Sequence, residues 1–294
     1  METNRDPLPP PVLVSRDGAT ATITLNRPAQ FNALSEAVLV ALQSALDAVA
    51  VDRDILVVVL RGAGRAFCAG HDLREMRAHP AQAWQRALFD RCSRVMMTLE
   101  SLPQPVIAAV HGIATAAGCQ LVATCDLAIA TQSARFATSG VNLGLFCSTP
   151  AVALTQTLAA KHAAEMLFTG DFIDANRALA MGLVNRVVDD DALDEAVAGL
   201  AAQLAGKSPH ALMSGKALLR QLRRLHHGEP GHADDAYALA AANMARDMIG
   251  QDAQRGIDAF LARQPLPVWQ RRCATEGVAD PDAHVAPTME ETQA

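Results

Sequence analysis

The chain reads as an α/β protein, with a core of strand–helix units followed by a wholly helical C-terminal part. Three stretches carry that reading. Residues 20–25, TATITL, alternate in polarity as a half-buried strand does. SEAVLVALQSALDAVA places Val38, Leu39, Leu42, Ala45, Leu46 and Val49 on one helical stripe, with Ser35 placed as N-cap. DILVVVLRGAG reads as a fully buried strand closed by a glycine turn. Strand, helix and strand in that order make the sheet at least partly parallel.

The pattern repeats downstream. A helix is expected over roughly 82–100, then a strand in QPVIAAVHG and a small-residue turn opening a helix in TAAGCQL. DLAIAT, RFATS and LVNRVVD read as further short strands. From about residue 191 the periodicity is helical only, in DALDEAVAGLAAQLAG, PHALMSGKALLRQLRRL, ADDAYALAAANMARDMIG and DAQRGIDAFLAR. The expected organisation is a loose proline-rich arm over 1–11, a core over 12–205 and a helical region over 206–272. The tail over 273–294 lacks a periodic apolar face and is expected to be disordered.

Composition sets the outer bounds. The 294 residues are 50% hydrophobic and 19% charged, enough for a sizeable core. A net charge of -6 argues against a general nucleic-acid binder, while leaving room for a local basic pocket. No apolar run reaches the roughly 18 to 20 residues of a membrane span. METNRDPLPPPVLV has no apolar segment of the kind a secretory signal needs. Cys68, Cys92, Cys119, Cys125, Cys147 and Cys273 form no CxxC, and Cys119 to Cys125 is too wide for a zinc knuckle. These features predict a cytoplasmic protein with reduced thiols, no membrane partner and no metal.

Several familiar motifs fail on their own requirements. LVVVLRGAGRAF offers Gly62 and Gly64 after a strand, but Phe67 stands where a dinucleotide fingerprint needs its third glycine. AGKS at 205–208 follows no strand, and Ala201 stands at the first glycine of a phosphate loop. There is no GxSxG elbow and no HExxH. Two turns remain. FCAGHDLREM puts Gly70 and His71 before a helix starting near Asp72, and TAAGCQL puts Ala117 and Gly118 at the start of another. Helix N-termini leave N–H groups without intrahelical partners and carry partial positive charge. Two such N–H groups meeting at one point would form an oxyanion hole. On spacing alone, both are equally ordinary strand–helix turns.

The whole pattern resembles the enoyl-CoA hydratase/isomerase (crotonase) superfamily. The matching segments are ATITLNRPAQFNALS, LRGAGRAFCAGHDLREM, PQPVIAAVHGIATAAGCQLVATCDLAIA, RFATSGVNLGLFCSTP, AAEMLFTGDFIDANRALAMGLVNRVV and GIDAFLARQPLPVW, in the family's order over roughly residues 12 to 269. ATAAGCQLVATCDLAIA and FATSGVNLGLFCSTP are most similar to its enoyl-CoA hydratase domain-containing subgroup. The resemblance implies a spiral of ββα repeats, a helical trimerisation region, and homotrimers or hexamers built as dimers of trimers. It also implies a site for acyl-CoA thioesters, with coenzyme A entering as part of the substrate and no separate cofactor.

Carried over by residue, the thioester oxygen would accept hydrogen bonds from the backbone N–H groups of His71 and Ala117. Alanine at the second position, where the family usually has glycine, keeps the N–H and adds a methyl group. Asn26, Arg27 and Ala33 match the loop near pantetheine and adenine, and Ala69 and Asp72 match the adenine loop. Arg74 matches a cation near the CoA phosphates. Phe260 and Arg263 match a C-terminal helix that closes over CoA, from the same or a neighbouring subunit. Arg74 and Arg263 also fit as solvated surface charges.

The family's hydratases use two glutamates, and here their positions are Gln120 and Gly140. An amide has no useful pKa and glycine has no side chain, so the electrophilic half of the site is kept and its acid–base half is missing. Hydration is therefore expected to be weak, and restoring Gly140 to glutamate to be limited by glycine's backbone freedom. His71 is either an imidazole at the mouth of the hole or a side chain turned to solvent. A decarboxylase branch with histidine and then aspartate at this turn gives one alternative, because an enolate needs the hole and no base. A non-catalytic acyl-CoA-binding protein is another. Cys147 reads as a buried thiol in preference to a nucleophile, Asp126 as a partner for turn backbone, and His111 as packed beside a strand end.

Overall fold

The computed structural model describes residues 9–226 and 232–269. The first eight residues, Cys273 and the tail expected over 273–294 lie outside that range. Strands β1 (Val12–Asp17) and β2 (Thr20–Leu25) form an antiparallel hairpin. Helix α1 (Glu36–Val51) returns the chain so that β3 (Val57–Gly62) pairs with β2 in parallel. The apolar stripe read from the sequence is the buried face of α1, and Ser35 Oγ accepts from Val38 N–H at 3.3 Å.

After β3 come α2 (Leu73–Ala78) and α3 (Gln82–Ser101). Next are β4 (Val106–Val110), β5 (Ile113–Thr115), α4 (Ala117–Thr124), β6 (Leu127–Thr131) and β7 (Arg135–Ala137). Helices α5 (Ser148–Thr157) and α6 (Ala160–Thr169), the short β8 (Ile173–Asp174) and α7 (Ala175–Met181) fill a stretch to which the apolar pattern assigned no element. The reason is a thin stripe: α5 buries only Pro150, Ala153 and Leu154. β9 (Arg186–Val188) follows.

The strands divide into two sheets, ordered β1-β2-β3-β4-β6-β9 and β5-β7-β8. Beyond the first hairpin, the larger sheet is parallel throughout. An isolated parallel bridge joins Cys68 to Ala114, so the segment after β3 runs beside β5. Each turn of chain thus leaves one strand in each sheet: β3 then Cys68, β4 then β5, β6 then β7. That alternation is the spiral of ββα repeats.

One face of the larger sheet packs Ile23, Val58, Leu60 and Ala108 against the apolar sides of α1, α3 and α4. The other face packs Val57, Val59, Ile107 and Ile129 against Leu193, Val197 and Leu200 of α8 (Leu193–Ala205). α8 therefore covers the sheet, and the later helices are α9 (Pro209–His226), α10 (His232–Met248) and α11 (Gln251–Leu261). Lys216 fastens α9 to the core. Its ammonium donates to the carbonyls of Leu99 (2.9 Å) and Gln104 (3.0 Å) and to Asp126 Oδ2 (2.6 Å). Asp126 Oδ2 also accepts from Val106 N–H at 2.8 Å, so the expected backbone role of Asp126 is joined by an ion pair.

Candidate active site

The two small-residue turns meet. A Cβ built on Gly70 would lie 2.9 Å from Ala116 Cβ, 3.0 Å from the Thr115 carbonyl and 3.3 Å from Ala117 N. Gly70 also sits at φ +86, so glycine is required both by space and by conformation. Gly118 meets an equally close neighbour, since a Cβ there would lie 2.1 Å from the Cys68 carbonyl. These glycines let the start of α4 press against the segment 68–71.

The N–H groups at this junction are unspent. Leu34 N–H donates to the Gly70 carbonyl at 2.8 Å and Asp72 N–H donates to the Leu34 carbonyl at 3.1 Å, which leaves His71 N–H facing away from that bridge. Ala117 is the first residue of α4, where no intrahelical carbonyl is available. Among the described residues neither His71 N–H nor Ala117 N–H donates to another backbone group. Ala116, at φ 50, is a non-glycine residue held in an unfavourable conformation where the chain turns into α4.

Two neutral polar side chains, Gln120 and His71, belong to the junction. Gln120 is 4% exposed, and its Oε1 is buried without a hydrogen-bond partner among the described residues. The His71 ring lies edge-on to Phe89 of α3, with centroids 5.2 Å apart. Burial pushes its pKa down from 6.5 to about 4, so the imidazole is neutral near pH 7. The alternative of a His71 side chain turned to solvent is thereby corrected, because the ring packs inward against α3.

Gly140 lies on a short 3-10 turn, Ser139–Leu143. A Cβ there would sit 2.5 Å from the Leu145 carbonyl and 2.8 Å from Cys147 Sγ. Its φ is not in the left-handed region, so the expected backbone restriction is also corrected: neighbouring atoms exclude a side chain. Burial raises the Cys147 thiol, and Cys68, Cys92 and Cys119 are pushed up to about 12 by the same cause. Thiols so disfavoured as thiolates fit the reading of buried, inert cysteines.

The loops that the resemblance matches to CoA are tied together by hydrogen bonds. Arg27 donates to the Ala33 carbonyl at 3.0 Å and to Asp72 Oδ2 at 3.1 Å. Asp72 also caps α2, accepting from Arg74 and Glu75 N–H groups. Asn26 donates to the Pro10 carbonyl at 2.9 Å, and Ala69 N–H donates to the Phe31 carbonyl at 3.0 Å. Arg74 is exposed on α2. Phe260, 75% exposed, and Arg263, at φ 55, lie at the far end of α11, which packs on α10. No hydrogen bond joins either of them to the Arg27–Asp72 loops among the described residues.

Sequence reasoning missed Asn32, which organises this region. Its Nδ2 donates to the carbonyls of Ala63 (2.9 Å), Ala66 (2.7 Å) and Phe67 (3.2 Å), and its Oδ1 accepts from Arg27 N–H at 2.9 Å. The available signal was its residue type, since asparagine tolerates the left-handed conformation found here at φ 57. The glycines that suggested a dinucleotide turn serve the same loop. A Cβ on Gly62 would strike Asn32 Nδ2 at 2.7 Å, and one on Gly64 would strike Pro28 Cβ at 2.6 Å. Arg65, also missed, stacks over the Phe31 ring at 4.2 Å. His111 Nε2 sits 2.8 Å from the Gly64 carbonyl, beside the strand end as expected.

With this geometry in place, comparison decides the family. Residues 15–272 match the enoyl-CoA hydratase/isomerase family. The chain belongs to the enoyl-CoA hydratase/isomerase family. It is 42% identical over 248 residues to rat enoyl-CoA hydratase domain-containing protein 3, mitochondrial, covering 84% of this chain and 80% of the relative. Among solved structures, an enoyl-CoA hydratase from Mycobacterium smegmatis superposes with a TM-score of 0.84 at 49% identity, over 88% of this chain and 99% of that one. The human enoyl-CoA hydratase domain-containing protein 3 superposes with a TM-score of 0.82 at 40% identity, over 88% of this chain and 100% of that one. The crotonase fold and the likeness to the domain-containing subgroup therefore hold for this enoyl-CoA hydratase/isomerase family member.

The expected cytoplasmic location is overturned by the same comparison, which points to mitochondria through the names of the relatives. The physical arguments for cytoplasm were too narrow. An absent apolar h-region speaks against secretion alone, because mitochondrial leaders are amphipathic. Unpaired, buried cysteines do not distinguish the two compartments. Among the described residues no helix is long and apolar enough to cross a membrane.

Proposed function

We propose that this protein binds acyl-CoA thioesters and polarises the thioester carbonyl between the backbone N–H groups of His71 and Ala117. The observation that supports this most is the close approach of Gly70 to Ala117 N, with the His71 and Ala117 N–H groups both unspent and Ala117 opening α4. There, donors face the position of a developing oxyanion without having to reorganise. Asn26, Arg27, Ala33, Ala69, Asp72 and the exposed Arg74 form the CoA-facing loops in this reading. Phe260 and Arg263 close over the ligand within a homotrimer or hexamer. No cofactor beyond the CoA of the substrate is required.

Classical hydration is slow in this proposal, because Gln120 cannot move a proton and Gly140 has no space for a group that could. Calorimetric titration of the full chain with acetyl-CoA, butyryl-CoA and a long-chain acyl-CoA is expected to show saturable binding. Gly70→Ala, which pushes a methyl group into Ala116 and towards Ala117 N, is expected to weaken binding at least tenfold. An absence of binding across all chain lengths would remove the proposal.

Thioester-enolate chemistry such as decarboxylation is the second reading, favoured by unspent N–H donors where a base is missing. Product analysis with malonyl- and methylmalonyl-type thioesters separates it from binding alone.

A further inference from the structure

The two N–H groups at the junction are held in different ways. Ala117 opens α4 and takes its direction from that helix. His71 precedes Asp72, the N-cap of α2, and belongs to no helix. Its N–H is aimed by whatever grips the chain on either side of it. That grip comes from residues 31–34. Asn32 Nδ2 donates to the Ala66 and Phe67 carbonyls, and Cys68 Sγ donates to the Asn32 carbonyl at 3.3 Å. Ala69 N–H donates to the Phe31 carbonyl at 3.0 Å. Leu34 N–H donates to the Gly70 carbonyl at 2.8 Å, and the Leu34 carbonyl accepts from Asp72 N–H at 3.1 Å. Among the described residues, every position from Ala66 to Asp72 except His71 is hydrogen-bonded to this segment. On the other edge, Phe67 and Cys68 N–H groups donate to the His111 and Ile113 carbonyls, and that edge makes no backbone bond to Ala69 or Gly70.

The gripping segment is itself held in an unfavourable conformation. Phe31 and Asn32 lie at φ 51 and 57, a left-handed pair that aims their carbonyls at Ala69 and Cys68. Asparagine tolerates this region, whereas a bulky phenylalanine is strained there. The Asn32 carboxamide closes the turn. It is 1% exposed, its Oδ1 accepts from Arg27 N–H, and its Nδ2 meets the carbonyls of the facing chain. Without it, buried carbonyls lose their donor and the strain at Phe31 loses the contacts that offset it. The chain leading to His71 is then free to shift relative to Ala117.

We propose that Asn32 is a positioning residue that holds the turn aiming His71 N–H at the thioester oxygen, and so sets how strongly the carbonyl is polarised. This rests on the acyl-CoA reading above, and the test separates the two. Butyryl-CoA with an isotope-labelled thioester carbonyl is bound to the full-length wild type, to Asn32→Gly and to Asn32→Asp, and the carbonyl band is recorded by difference infrared spectroscopy. Calorimetry with butyryl-CoA and with free CoA measures what the acyl half adds to affinity. Asn32→Gly removes the carboxamide and keeps a residue at ease in the left-handed region. Asn32→Asp keeps the acceptor for Arg27 N–H and removes the donor. The wild type is expected to lower the band relative to free thioester. In both variants the band is expected to move back towards its free position, and the advantage of butyryl-CoA over CoA to fall about tenfold, the order of one net hydrogen bond. A folded variant with an unmoved band overturns the inference and leaves the acyl-CoA site standing. An equal loss of affinity for CoA and butyryl-CoA, as a purely structural residue would give, does the same. If the wild type binds no thioester, or binds it with an unshifted band, the reading of the site itself falls, and this inference with it. Where neither variant folds, the wild type is compared with butyryl-pantetheine, which lacks the nucleotide. A hole held by the protein's own turn is expected to lower both bands equally. A band lowered only in the full CoA thioester, or a pantetheine thioester that does not bind, overturns the inference.

Discussion

A side chain at residue 140 would need the space that the Leu145 carbonyl and Cys147 Sγ now fill. Rebuilding the family's pair of acids is therefore unequal at its two positions. Gln120→Glu changes one atom at a buried position that already holds an amide, and is expected to raise crotonyl-CoA hydration by up to about 10²-fold, as one acid–base group can. Adding Gly140→Glu is expected to give no further gain in hydration and to destabilise the fold by about 1–3 kcal/mol through overpacking. Steady-state rates and denaturant midpoints on both variants check this. His71 sets a second expectation at this scale. Its native pKa of about 4 lies below the ordinary 6.5, so between those values the unfolded chain takes a proton that the native state refuses. Its contribution to stability is complete above pH 6.5 and is lost as the pH falls towards 4. His71→Gln is expected to show a smaller drop in denaturant midpoint between pH 7.5 and 4.5 than the wild type.

Among the elements, α9 is fastened to the core through a buried cation. Lys216 is 7% exposed, and burial lowers its pKa while Asp126 opposes the shift. Its partners come from the end of α3, the segment before β4 and the residue before β6. Lys216→Met would leave Asp126 and two carbonyls with an apolar neighbour, and is expected to cost about 3–5 kcal/mol, the usual penalty for breaking a buried pair. Limited proteolysis of this variant is expected to cut first in α9, because the rest of the core does not share that clamp. α4 shows a different dependence. Its N-terminus is positioned by a backbone contact, Gly118 against the Cys68 carbonyl, so the geometry of the hole is set by how closely two chain segments can approach.

For the whole molecule, the apolar side chains left in the open lie mostly on the C-terminal helices and on the face around α5 and α6. Tyr237, Met244, Ile249, Phe260 and Leu261 are exposed on or beside α10 and α11, and Leu145, Phe146 and Phe168 near the loop that covers Gly140. A single chain rarely leaves so much large apolar surface uncovered. Light scattering at micromolar concentration is expected to give a multiple of three times 31.1 kDa. A monomer would also remove Phe260 and Arg263 as residues that close a site from a neighbouring subunit.

The amino-acid sequence alone determined the elements whose apolar pattern is strong and local. The stripe on α1, its Ser35 cap, the buried strands β3 and β4 and the long helix α3 were all legible, because periodicity and capping depend on neighbours within a turn or two. The replacement of two acids by Gln120 and Gly140 was legible as well, once the motifs around them were matched. Only the tertiary structure decided that α8 covers the sheet, that Asn32 rather than the glycines organises the loop at 62–67, and that His71 turns inward. It alone showed that Cys147 and Leu145 occupy the space beside Gly140. Each of these depends on residues brought together from distant turns of the spiral: Asn32 with Phe67, Gly118 with Cys68, His71 with Phe89. Residue type and spacing describe what a segment can do by itself, whereas which atom fills a given ångström of space is set by the segment that packs against it.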